Sequence, residues 1–496
     1  MTLQDHTFQA LSADSPQPGP APTPTLQRHV YIETMGCQMN VYDTERMFEV
    51  LAKHDYTPTD DVARADLILL NTCSIRDRVE HKVASMLGLL RKLKDHNPDL
   101  VLGVTGCVAQ QEGEKLLQRI PYLDLVLGPD QIAALPGLVD EIRTRSHRTA
   151  AVEFVPRKEY VFPEAQTPGD GRVLSFVTVM KGCNKVCAFC IVPFTRGREV
   201  SKPSGQVVDE VRMLVASGVR EVMLLGQNVN SYGKDRASEV DFADLIRAVA
   251  EVDGLHRIRF MTSHPMDCTD PLIDAFATCK KLSPFFHLPI QSGSEKVLRD
   301  MRRHHGVDDY LARIERLRAL VPGIALSTDI IVGFPGETEA DFDQTLALLE
   351  RVKYASLYSF MYSARPGTRA ANLADDVPLA VKKRRLAALQ ALQDRVTHEW
   401  MAGYADREVE VLFEGPSRMA EMGPNSKLAE SRDLGTLQVM GRTPENVKVN
   451  VPVQDAAALN EWKGRLGRVK VTRVNPHSLQ GEMLGFGGSS GLIGRV

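Results

Sequence analysis

Three thiols within eight residues constrain this chain more than any other feature: Cys183, Cys187 and Cys190 follow a C-x3-C-x2-C spacing in the loop Lys181-Gly182-Cys183-Asn184-Lys185-Val186-Cys187-Ala188-Phe189-Cys190. The apolar run Ser175-Phe176-Val177-Thr178-Val179-Met180 precedes them and reads as a buried strand. A loop leaving a strand can wrap all three sulfurs around one metal centre. Soft thiolates select zinc, copper(I) or an iron–sulfur cluster over hard cations. Structural zinc normally takes four ligands from two close pairs, and no second pair follows. A cubane held by three cysteines instead leaves one iron open to a substrate. The bland readings are an incomplete zinc knuckle or three unrelated buried cysteines. With 8 cysteines among 496 residues, the spacing weighs against accident.

That length predicts about three domains. The hydrophobic fraction of 43% and charged fraction of 25% are those of a soluble globular protein. No apolar run reaches the ~18 residues of a membrane span. Residues 1–28 carry Asp5 and Asp14, with no arginine before Arg28 and no basic-then-apolar leader pattern, so a secretory or mitochondrial address is not expected. Scarce, clustered cysteine favours metal binding in a reducing cytoplasm over a disulfide scaffold. A net charge of −3 means that any nucleic-acid surface is a local patch.

Taken in order, residues 1–28 are a proline-rich stretch with Pro16, Pro18, Pro20, Pro22 and Pro24, expected to be disordered. Residues 29–150 alternate short apolar runs with amphipathic segments, the pattern of a parallel α/β sheet with crossover helices. The strand candidates Val30–Glu33, Ala65–Leu70 and Leu100–Val104 are each followed within a few residues by a cysteine: Cys37, Cys73 and Cys107. Ligands of open α/β sheets sit beyond the carboxyl ends of the strands, so these three thiols can converge as a second site. Three separate buried cysteines are the alternative. Residues 151–172 read as a linker.

Residues 173–403 then offer six β/α repeats, predicting a partial barrel with its site at the carboxyl strand ends. Strands are expected at Glu221–Leu225, Arg257–Met261, Phe285–Pro289, Ile324–Gly333 and Ala355–Met361. Cys268 and Cys279 fit neither cluster and are expected to pack in the core. The basic run Lys382-Lys383-Arg384-Arg385 reads as a solvated helix face, or less readily as a phosphate contact. Residues 404–475 change to short alternating strands, predicting a small OB-like β-barrel. Its five basic residues between Lys463 and Arg473, with no acid among them, suit either a phosphate backbone or open solvent. Residues 476–496 are expected to be a flexible tail.

The cysteine spacing resembles that of radical S-adenosylmethionine enzymes, and the flanking segments resemble the methylthiotransferases among them. The likeness spans residues 29–475: a cluster domain, a radical barrel and a carboxyl-terminal TRAM domain. Thr34-Met35-Gly36-Cys37-Gln38-Met39-Asn40, Asn71-Thr72-Cys73-Ser74-Ile75-Arg76 and Gly106-Cys107-Val108-Ala109-Gln110 are similar to the MiaB branch, which modifies tRNA. The resemblance implies two [4Fe–4S] clusters, one on Cys183, Cys187 and Cys190 and one on Cys37, Cys73 and Cys107. It implies S-adenosylmethionine as both radical source and methyl donor, and methylthiolation of N6-isopentenyladenosine beside the anticodon. Gln227, Ser263, Gln291 and Asp329 are the expected S-adenosylmethionine contacts. A flavodoxin- or ferredoxin-like electron donor, tRNA, a cytoplasmic setting and a monomer complete the expectation. Methylthiolation of a ribosomal protein and a non-catalytic iron–sulfur scaffold are the alternatives.

Overall fold

The computed structural model describes residues 27–74, 77–163, 171–237, 239–417 and 437–487, the side chains of 77–81 excepted. Most of the stretch expected as a disordered tail, residues 164–170 of the expected linker, Ile75, Arg76 and residues 488–496 lie outside the described residues.

The first sheet is entirely parallel and holds β1 (Arg28–Met35), β2 (Tyr56–Pro58), β3 (Leu67–Thr72), β4 (Val101–Gly106), β5 (Leu125–Leu127) and β6 (Thr149–Ala151) in the order β2-β1-β3-β4-β5-β6. Strands covered on both faces read as continuous apolar runs. β3 and β4 are buried at every position. Successive side chains point to opposite faces, so Ile68, Leu70, Leu102 and Val104 enter one core and Leu67, Leu69 and Val101 the other. β2, β5 and β6 have three residues each, too short for the period that revealed the longer strands.

The second unit contains β7 (Leu174–Thr178), the short pair β8 (Met180–Lys181) and β9 (Val200–Ser201), then β10 (Glu221–Leu225), β11 (Arg257–Phe260), β12 (Phe285–His287), β13 (Ala325–Val332) and β14 (Ser356–Met361). The sheets β11-β10-β7 and β12-β13-β14 are parallel, and an Ile258–Leu282 bridge joins them into a six-stranded open barrel. Val222 and Leu224 of β10 face the main core with the helices, where Cys268 and Cys279 also pack. Met223 and Leu225 face the other way and meet Met39, Tyr42 and Cys37 of the first unit. The first helix after β1, Gln38–Ala52, thus brings Cys37 against the concave face of the barrel.

The third unit is a closed barrel of β15 (Glu408–Pro416), β16 (Leu437–Arg442), β17 (Lys448–Val453), β18 (Leu466–Asn475) and β19 (Ser478–Phe486) in the order β15-β16-β17-β19-β18. β19 falls within residues 476–496, so the flexible-tail expectation is corrected for Ser478–Phe486. Leu479 is fully buried and pairs in register with Val449, and Phe486 packs edge-on to Trp462. Its glycines disguised the alternation, but without this strand β17 and β18 would each expose an open edge.

The barrel docks at the starts of β10 and β11. Fully buried Arg259 pairs with Glu221 (Nε–Oε1 2.6 Å) and donates to the Thr443 and Pro444 carbonyls at 2.9 and 2.8 Å. Arg257 donates to the Arg442 carbonyl at 2.6 Å and to Glu410 at 2.9 Å. The basic run on helix Leu379–Ala402 is also corrected: Lys382 and Arg385 are buried, paired with Asp375 and with Glu337 and Glu339 respectively, and only Lys383 and Arg384 are exposed. Four consecutive helical residues are spread over about 300° of the helix circumference, so they cannot all face solvent. No described helix is long and apolar enough to cross a membrane.

Candidate active site between two cysteine sets

Cys37, Cys73 and Cys107 each follow the carboxyl end of neighbouring strands β1, β3 and β4. Backbone crowding there explains the glycines beside them. Gly106 has φ +86°, and a Cβ on it would strike the Thr72 backbone. A Cβ on Gly36 would lie 2.7 Å from Cys73 Cβ. The turn is held by a buried amide pair: Asn40 Nδ2 donates to Asn71 Oδ1 at 2.9 Å, and Asn71 Nδ2 donates to the Asn40 carbonyl at 2.8 Å. A hydrogen bond from Cys73 pulls the Cys37 thiol down to about 6, against burial, and the Arg196 charge adds to the pull.

The second set leaves β8. Gly182, at φ +74°, lies so close to the Arg198 carbonyl that no Cβ fits. Cys183 N–H donates to the Gly197 carbonyl at 3.1 Å, and Asn184 is clasped by Glu199 through both its backbone and its amide. Burial pushes the Cys183 and Cys190 thiols up to about 12. Thiols raised in this way would take up a metal only with release of their protons.

Around Cys187 stand two further groups, Arg303 (Nη1–Sγ 3.5 Å) and His264 (Nε2–Sγ 4.0 Å). His264 Nδ1 accepts from the Met266 N–H at 3.2 Å, so the proton of the neutral ring sits on Nε2, toward the sulfur. Burial, then the charges of Arg303 and Lys185, keep that ring neutral far below the usual range. Asp267 receives Lys185, Lys234 and Asn228 at 2.6–2.8 Å. Those bonds outweigh burial and hold its carboxyl below its ordinary value.

Among the described residues, no three His, Cys, Asp or Glu side chains stand at the spacing of a single ion. A four-iron cluster spreads its thiolates over a cube and sets them farther apart. All-thiol donor sets beside arginine suit an anionic iron–sulfur cluster.

The four polar residues expected at strand ends are dispersed around the mouth. Gln227 follows β10, and its Oε1 accepts the Gly182 N–H, so it braces the cysteine loop, while its buried Nε2 has no protein partner. Ser263 follows β11 with a buried, unpartnered Oγ. Gln291 lies beyond β12 with φ +82° and exchanges backbone hydrogen bonds with β13. Asp329, within β13, has its carboxylate 3.6 Å from His287 Nε2. Thr262 has φ +66°, costly for a β-branched residue. Two strained positions and two orphaned polar groups at the strand ends fit a ligand that is itself polar. Arg196, Asp43, Arg303 and the Asn40–Asn71 pair escaped the sequence reading, because each acts on a partner 30 or more positions away.

Residues 29–128 match the uncharacterized protein family UPF0004, and residues 177–349 match the radical SAM superfamily. Over 481 residues the chain is 48% identical to a tRNA-2-methylthio-N(6)-dimethylallyladenosine synthase of Anaeromyxobacter dehalogenans (strain 2CP-C), covering 96% of this chain and 97% of the relative. The chain belongs to that family. Relatives of the same name in Myxococcus xanthus (strain DK1622) and Geobacter sulfurreducens share 48% and 46% identity over 92% and 93% of this chain, and 94% and 98% of their own lengths. Among solved structures, a radical S-adenosylmethionine methyltransferase, TsrM, from Kitasatospora setae superposes with a TM-score of 0.53 at 14% identity, over 70% of this chain and 77% of that one. That likeness shows the shared α/β framework. The family accounts for both cysteine sets in one chain, since each matched segment carries one of them.

Proposed function

We propose that this chain adds a methylthio group to the adenine C2 of N6-isopentenyladenosine next to the anticodon of tRNA. The observation that carries the reading is the end-to-end likeness to relatives named for this activity, in a chain that carries all six cysteines of the two sets. Cys183, Cys187 and Cys190 would hold one [4Fe–4S] cluster, and Cys37, Cys73 and Cys107 a second. These groups, when bound, supply one-electron cleavage of S-adenosylmethionine and a transferable sulfur.

The protein's own part is positioning and exclusion of water. Gln227 fixes the backbone of the radical loop through Gly182. Its free Nε2 and the Ser263 hydroxyl are donors for S-adenosylmethionine, with Gln291 and Asp329 on the facing strands. Arg303 and the Nε2–H of His264 offset the charge on Cys187. Met223, Leu225 and Met39 line an apolar wall beside Cys37, which shields the sulfur-transfer end from water. The C-terminal barrel, TRAM-like in its sequence, would grip the RNA backbone, and the target base would leave its stack to enter. A flavodoxin- or ferredoxin-like donor would supply electrons to a monomer in the cytoplasm.

Mass spectrometry of tRNA nucleosides from a strain lacking this chain is the deciding experiment. 2-Methylthio-N6-isopentenyladenosine should disappear, return with the wild-type gene and stay absent with Cys37→Ala. Its persistence at the normal level in the deletion strain would refute the reading. Anaerobic reconstitution should yield two clusters, with Cys187→Ala removing one.

A further inference from the structure

The segment that follows the radical loop touches both cysteine sets. Six positions after Cys190, at the end of helix Val192–Thr195, Arg196 is buried and crosses to the first unit. Its Nε lies 3.3 Å from Cys107 Sγ, and its Nη2 lies 2.7 Å from Asp43 Oδ2 on helix Gln38–Ala52. The next three residues brace the radical loop: Gly197 accepts the Cys183 N–H, Arg198 occupies the space above Gly182, and Glu199 clasps Asn184 and takes the Ser231 hydroxyl at 2.9 Å. The other end of the loop is pinned as well. Lys181, two positions before Cys183, forms a buried ion pair with Asp130 of the first unit.

We propose that Arg196 is a positioning residue that couples the two cysteine sites, donating to the Cys107 sulfur and pairing with Asp43 from the segment that braces the radical loop. Two consequences follow from the chemistry. A permanent cation that donates to a thiolate favours the more reduced, more negative state of a cluster on that thiolate. A buried arginine pinned by a carboxylate across a joint also fixes the joint, because breaking the pair leaves Asp43 as an uncompensated buried charge.

The inference rests on the two-cluster reading, and its test separates the two. In full-length, anaerobically reconstituted protein, iron per chain and the midpoint potential of each cluster are measured for wild type, Arg196→Lys and Arg196→Met. Hydrogen exchange of helix Gln38–Ala52 is followed in the same three proteins without iron. Arg196→Met should shift only the cluster on Cys37, Cys73 and Cys107 to a more negative potential, or lose that cluster alone. It should also speed exchange in the helix, and Arg196→Lys should restore most of both effects. Wild-type potentials and exchange in Arg196→Met would overturn the inference, as would equal loss of both clusters that lysine does not rescue. If wild type holds one cluster, the two-cluster reading fails by itself, and the exchange comparison alone decides whether Arg196 joins the sites.

Discussion

At the scale of single residues, the cysteine loop is shaped as much by what is absent as by its thiols. Gly182→Ala must place a methyl group against the backbone carbonyls of Gly197 and Arg198 while holding φ at +74°. Such strain costs on the order of 1–3 kcal/mol. Relief requires the loop to move, so the variant should melt earlier and keep about half the iron of wild type, measured by calorimetry and iron assay. Full iron content would mean that the loop tolerates the shift. His305, whose ring lies 5.7 Å from that of His264, offers a pH test in the iron-free protein. Burial, then Arg303, lowers its pKa from 6.5 to about 4. Between those values the unfolded chain binds a proton that the folded chain refuses. Stability is therefore fully present above about 6.5 and falls as pH drops toward 4. Urea midpoints of the iron-free protein should decline across that interval, and less steeply in His305→Asn; parallel curves would assign the decline to other groups.

At the scale of elements, helix Leu379–Ala402 shows where pattern and environment part. Arg385 reaches buried Glu337 at 2.8 Å, with 3% and 1% of the two side chains exposed. Arg385→Ala strands a carboxylate in the interior and should cost about 3–5 kcal/mol, whereas Lys383→Ala on the solvent side should stay within about 0.5 kcal/mol. Burial already raises the Glu337 pKa. Without the arginine the site favours the protonated acid further, so the Arg385→Ala deficit should shrink in acid and widen in base; a pH-independent deficit in denaturation curves would argue for lost packing instead. The same limit explains what the sequence could and could not show. Strands such as β3 and β10 announce themselves through apolar runs, and the cysteines through fixed local spacing. Arg196 and Asp43 are separated by 153 positions and β17 meets β19 beyond another strand, so neither contact has a local period to detect. Gln227 and Ser263 were legible as strand-end polar groups, but not that Gln227 spends one of its two polar atoms on Gly182.

At the scale of the whole molecule, the arginine network puts the C-terminal barrel at the starts of β10 and β11, while the radical loop and Cys37 lie at the opposite strand ends. Five residues at about 3.3 Å each separate those ends by roughly 15–20 Å. On the proposed reading, an RNA held by the small barrel would reach the site by its length, and the barrel's contacts would contribute to binding without touching the reacting base. Among the basic residues from Lys463 to Arg473, Arg468 has a weak internal claim, 3.8 Å from Glu408 with both half exposed, whereas Arg465 stacks on Phe486 and Lys470 donates to the Asp406 carbonyl. Exposed pairs of that kind are worth little and yield readily to phosphate. Replacing Arg468 and Arg473 together with glutamine should weaken tRNA binding and flatten the slope of log K against log salt by about 0.7–0.9 per lost phosphate contact. At saturating tRNA, kcat should remain at the wild-type value, since neither residue meets the adenine. Filter binding across a salt series, paired with turnover on the same protein, measures both. An unchanged slope removes this face from the RNA interface. A lowered kcat with an unchanged slope would mean that the barrel acts on the site through its docking arginines instead.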